Sequence, residues 1–108
     1  MSTSQEFIDY ILENIEDAGV VTVRKMFGEY AVYCDGKVIA LVCDNQFFLK
    51  PTKAGRDFIG DVIEAPPYNG AKPHYLIEDG IDDCKWFSRL IRITTAELPE
   101  PKPKKKKA

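Results

Sequence analysis

The chain has few of the residues from which catalytic and metal centres are usually built. It carries one histidine, His74, and three cysteines, Cys34, Cys43 and Cys84, which nowhere form a Cys-x-x-Cys pair. His74 has no Cys, Asp or Glu beside it at zinc-ligand spacing, and a lone histidine opening an apolar strand reads as structural or surface. No Gly-x-Ser-x-Gly elbow, phosphate-binding glycine loop or dinucleotide glycine pattern is present. The acidic pair Asp82-Asp83 stands where a helix cap belongs, so capping explains it more simply than acid–base chemistry does. The expectation is a protein that is not an enzyme, with no catalytic residue, no cofactor and no metal.

Long apolar runs are missing as well. No segment approaches the about 18 consecutive apolar residues of a membrane span. The start, Met1 to Glu6, lacks the charged-then-apolar pattern of a secretory leader. The cysteines, odd in number and without framework spacing, fit reduced thiols packed as small hydrophobes. A cytoplasmic location with no membrane contact is therefore expected.

Positive charge is scarce in the body of the chain. Residues 1–98 hold ten Lys and Arg against sixteen Asp and Glu, a net charge of −6, whereas residues 99–108 hold five Lys against Glu100, a net charge of +4. An acidic body is not the footprint of a domain that lays its whole face on nucleic acid. At 108 residues the chain reads as one domain over 1–98. The Pro/Lys-rich tail over 99–108 cannot bury apolar area and is expected to be disordered.

What is present is a clear alternation of periods. Phe7, Ile8, Ile11, Leu12, Ile15 and Ala18 recur at helical spacing, predicting a helix over 4–18. Thr3 and Glu6 suggest a capping box for it, and Gly19 its stop. From Val20 to Lys50 the period becomes two, with Gly28 read as a bulge or bend in the first run. Asp35-Gly36 is a strong hairpin signal, which in a two-residue turn pairs Cys34 with Lys37, Tyr33 with Val38 and Val32 with Ile39. One sheet face then shows Tyr30, Val32, Cys34, Ile39, Leu41 and Cys43, the other Ala31, Tyr33, Val38, Ala40 and Val42. Both are apolar, so helices are expected on one face and a further cover on the other.

A short helix capped by Thr52 follows, with Gly55 weakening it. Strands are predicted at 61–64 and 74–78, then a last helix capped by Asp82 with an apolar stripe of Cys84, Phe87, Leu90, Ile91, Thr94 and Leu98. The class is α+β, an antiparallel sheet with element order α-β-β-β-α-β-β-α.

Two segments are candidates for contact with a partner. Arg24, Lys25, Met26, Phe27 and Gly28 put adjacent cations before an apolar pair and a glycine, a pattern suited to protein binding with Phe27 as anchor. The plainer reading is a strand end with alternate side chains in core and water. Lys85, Arg89 and Arg92 line up at i, i+4 and i+7, and with Trp86 and the tail would suit nucleic-acid phosphates. The plainer reading there is a solvated helix face.

The ordered set Arg24-Lys25-Met26-Phe27-Gly28, Tyr30, Asp35-Gly36-Lys37, Ala40-Leu41-Val42 and Phe48-Leu49-Lys50 resembles the N-terminal domain of the TfoX/Sxy family. Ala65-Pro66-Pro67-Tyr68, Gly70-Ala71-Lys72-Pro73 and the Leu98-Pro99 ending resemble its small stand-alone members. The resemblance implies a fold like that of type III secretion chaperones and a bacterial role linked to competence regulation, exercised with a transcription regulator. The chain stops before the helical second domain of larger members. No catalytic or cofactor residue is implied. The favoured expectation is thus a regulatory module acting through protein–protein contacts, a homodimer among the options. The alternative is a nucleic-acid-binding accessory, and a small-ligand pocket between helix and sheet is a third.

Overall fold

The computed structural model describes residues 3–26 and 29–98. Three helices lie against one face of a six-stranded antiparallel sheet. The elements are α1 (Gln5–Ile15), β1 (Val21–Met26), β2 (Glu29–Cys34), β3 (Lys37–Cys43), β4 (Gln46–Leu49), α2 (Lys53–Ile59), β5 (Ile63–Ala65), β6 (His74–Ile77) and α3 (Cys84–Glu97). Strand order is β1-β2-β3-β4-β6-β5. The α+β class and the order of helices and strands stand as expected. The first β run is divided in two, however, because β1 and β2 pair with each other, Val21 opposite Cys34 and Met26 opposite Glu29. Residues 27 and 28, where the bulge or bend was expected, lie outside the described residues, as does the tail over 99–108.

Thr52 caps α2 as expected, by accepting the Gly55 N–H at 3.0 Å, while the caps of α1 and α3 each shift by one residue, for identifiable reasons. Ser4, not Thr3, caps α1 by accepting the Phe7 N–H at 3.2 Å. Thr3 is buried, donates to Glu29 Oε1 at 2.7 Å and accepts the Asn45 N–H at 3.2 Å, so its hydroxyl ties the N-terminus to β2 and the β3–β4 turn. Past Ile15 the chain tightens into one 3-10 turn over Glu16–Ala18. Asp83, not Asp82, caps α3 by accepting the Trp86 N–H at 3.2 Å. The same shift puts Cys84 at an exposed helix start, while Cys34 and Cys43 are buried as expected.

Both two-residue turns need left-handed backbone. Asp35 and Gly36 have φ of 53° and 84°, Asp44 and Asn45 of 53° and 59°, the type I′ pattern whose twist matches that of paired strands. The β2–β3 register holds from Cys34–Lys37 to Tyr33–Val38 and then slips, because Val32 faces Ala40 and Ile39 is the extra residue of a bulge. The expected pairing of Val32 with Ile39 is therefore corrected. Beyond the bulge every β3 side chain changes face. Ala40 and Val42 join Tyr30, Val32 and Cys34 under the helices, with Ile39 itself fully buried among them. Leu41 and Cys43 move to the opposite face.

The core forms where the rows Tyr30–Val42–Phe47–Ile77 and Val32–Ala40–Leu49–Tyr75 meet Ile8, Ile11 and Ile15 of α1 and Phe87, Leu90 and Ile91 of α3. Phe47 and Phe87 pack edge to face with centroids 5.0 Å apart. Gly55 has a packing reason: a Cβ there would lie 2.6 Å from Thr52 Oγ1 and 3.3 Å from Thr94 Oγ1. The glycine lets α2 settle close on α3, offsetting its poor helix propensity.

Candidate protein-interaction site

The helices occupy one face of the sheet, so the other is set by strand alternation alone. Across it the register aligns Arg24, Ala31, Leu41, Phe48, Leu76 and Ile63, one residue from each strand. Tyr33 and Val38 stand beside this row on β2 and β3. Ala31 and Phe48 are buried, yet neither belongs to the helix-side core. Leu41, Leu76, Tyr33 and Val38 are half-buried, and Ile63 at the edge is 53% exposed. The result is a row of five apolar side chains ending in one cation, and among the described residues no helix lies over it. Leu41, Leu76 and Ile63 keep apolar area for a partner to bury, and Arg24 supplies a charge to orient it.

The expected recognition segment lies at one end of this row. Arg24 and Lys25 are exposed near the end of the edge strand β1. Their backbone partners, Ala31 and Tyr30, face opposite sides of the sheet, so the two cations diverge. Only Arg24 belongs to the open face. Met26 pairs with Glu29 in the strand; Phe27 and Gly28 lie outside the described residues. Sequence reasoning missed Leu76 and Ile63 as members of the surface. Their alternation in β6 and β5 was visible, but which strands neighbour β4 was not.

Lys85, Arg89 and Arg92 are all exposed on the outer side of α3, across the molecule from the open face. Trp86 is not free to stack on bases. Its ring lies on Phe58, centroids 5.7 Å apart at an interplanar angle of 28°, and Gly80 sits so close that a Cβ would be 2.6 Å from the indole. His74 is half-buried, and its Nδ1 lies 2.9 Å from the Lys72 carbonyl oxygen. Among the described residues, no three His, Cys, Asp or Glu side chains gather as metal ligands, and no helix is long and apolar enough to cross a membrane.

The Asp35-Gly36-Lys37 turn turns out to be a latch. The Asp35 carboxylate accepts the Val20 N–H at 2.9 Å, fixing the entry to β1. Lys37 Nζ donates to the carbonyls of Thr95 and Leu98, both at 2.9 Å, closing the C-terminal end of α3. One turn thereby ties the entry to β1 to the end of the last helix. The thiol of the neighbouring Cys34 is pushed up from its ordinary range, first by burial. Burial raises Cys43 likewise, with the Glu29 and Asp44 charges adding to it. Thiols held in the protonated form are poor nucleophiles.

Glu97 performs a second tie. Its carboxylate accepts the N–H of Lys53 and of Ala54, both at 2.8 Å, so the end of α3 caps the start of α2. These backbone bonds, Ala54 first, lower the Glu97 pKa from its ordinary value of 4.5. A carboxylate with a depressed folded-state pKa stabilises fully above its unfolded value and loses that contribution as pH falls through the folded one. The expected outcome is a stability that declines as pH drops below the ordinary carboxylate range. Glu97→Gln should flatten that decline, and thermal unfolding of both proteins across acidic pH measures it.

An open groove of about 590 Å³ runs between α1 and β1, lined by Asp9, Leu12, Glu13, Glu16, Gly19 and Val21. Three carboxylates rim a narrow apolar floor.

The family model described as the TfoX N-terminal domain matches residues 13–98. A protein of Spirochaeta aurantia, described as an uncharacterized 12.7 kDa protein in the trpE 5′ region, is 40% identical over 107 residues, covering 99% of this chain and 93% of that protein.

Proposed function

This chain belongs to the family of TfoX N-terminal domains, and on that footing we propose that it is a non-enzymatic regulatory module that works by binding another protein on its open sheet face. The observation that carries the reading is the row Ala31, Leu41, Phe48, Leu76 and Ile63 with Arg24 at its end. A partner that fits is a protein segment with apolar anchors along the row and a carboxylate to meet Arg24. The family resemblance supports a transcription regulator in that role, within a competence-related response. The latch residues around Lys37 are part of the fold rather than of the contact.

The test uses two variants of the full chain as bait beside the wild type. Leu76→Lys and Ile63→Lys put charge into the row at half-buried and exposed positions. Lys85→Glu, on the other side of the molecule, is the control. The expected result is a bacterial protein held by wild type and Lys85→Glu and lost from both row variants, with circular dichroism unchanged. Identical capture by all four baits would sink the reading.

A further inference from the structure

We propose that the helical layer is a second interface, at which two copies of this chain pair by opposite charge, α1 of each on α3 of the other. This goes beyond the sheet-face reading and uses the other side of the molecule. The outer side of α1 and its 3-10 extension carries Glu6, Asp9, Glu13, Glu16 and Asp17, all exposed, with Tyr10 40% exposed among them. No Lys or Arg occurs between residues 4 and 19. The outer side of α3 carries Lys85, Arg89 and Arg92, and its one carboxylate, Glu97, is turned to the α2 amides. None of these outward charges forms an ion pair with another described residue.

Three features point to a second copy as the occupant. The first is spacing. Glu6, Tyr10 and Glu13 follow i, i+4 and i+7 on α1, and so do Lys85, Arg89 and Arg92 on α3. Two helices bearing stripes of one period and opposite sign can meet along their length.

The second is that one charge of each set opposes its own helix dipole, whereas Glu6 in the first turn of α1 accords with it. Glu13 lies in the last turn of α1 and Lys85 in the first turn of α3, where the opposite signs would stabilise the isolated helices. A facing helix of the other sign compensates that placement.

The third is symmetry. α1 and α3 are neighbours on one side of the sheet, joined where Ser88 Oγ donates to the Asn14 carbonyl at 3.0 Å. A twofold axis along their seam lays the acidic helix of each copy on the basic helix of the other, twice. Such an isologous contact closes on itself and stops at two subunits. The acidic α1 stripe beside the basic one also works against nucleic acid on this side, because it repels phosphates.

Pairs of this exposed kind are individually weak and screened by salt. Sedimentation velocity of the full chain over rising concentration should therefore show a dimer at low ionic strength. Raising salt to about 0.3 M should weaken it at least about tenfold, since the Debye length falls below about 8 Å. Glu13→Arg and Arg89→Glu, both at exposed positions, should each weaken pairing about tenfold or more, because like charges then face each other twice. An equimolar mixture of the two should dimerise again, since each contact then joins opposite charges. A monomer at every concentration in low salt, or a mixture no better than its components, overturns the proposal. So does low-salt DNA binding that Arg89→Glu abolishes while leaving self-association unchanged.

Discussion

Phe47→Ala is expected to cost about 3–5 kcal/mol of unfolding free energy, the range for truncating a fully buried aromatic. Phe47 is 0% exposed and lies between the sheet and α3. It stands between Val42 and Ile77 in the sheet and under the edge of the Phe87 ring. The alanine removes that aromatic contact together with its buried area and leaves a cavity between β4 and α3. A domain of this size has about 5–15 kcal/mol in all, so the variant should sit near the limit of folding. A urea titration gives the measurement, with the midpoint falling and the slope unchanged. The adjacent Phe48 faces the other way, so one strand serves the fold with one ring and the open face with the next.

Lys37→Met should be the second largest loss, about 1.5–3 kcal/mol, the range for hydrogen bonds made by a charged group. Methionine keeps an unbranched apolar stem but cannot donate to the carbonyls of Thr95 and Leu98. Those carbonyls belong to the negative end of the α3 dipole, where a cation is favourable. The effect should spread, because Glu97 lies between the two carbonyl residues and caps α2 from there. Hydrogen exchange should quicken in the last turn of α3 and in the first turn of α2 together. Unchanged protection at α2 would show that the two ties act separately.

The Lys37 result changes the meaning of the segment that most resembles the family. In the linear chain, Asp35-Gly36-Lys37 is a turn, and the glycine explains itself by its left-handed backbone. That the lysine reaches the end of a helix some sixty residues later depends on tertiary packing. Trp86 shows the reverse case. Its place beside a basic stripe suggested contact with bases, whereas Gly80 and Phe58 hold it in the fold.

The sequence by itself determined the periods, and with them the elements. The 3.6-residue recurrence in α1 and α3, the alternation from Val20 to Lys50 and the Asp35-Gly36 turn are local signals written in neighbouring residues. It also determined that the sheet would be apolar on both faces, because that follows from composition whatever the register. Only the tertiary structure decided which residues share a face. The bulge at Ile39 shifts the later half of β3 by one position, and a one-residue shift exchanges Leu41 for Ala40 at the surface. Nothing in the local pattern of β3 marks that bulge, since Ile39, Ala40, Leu41 and Val42 are all apolar and satisfy either face. The pairing of β4 with β6, which brings Leu76 and Ile63 into the open row, is likewise a long-range choice made by the packing of the whole.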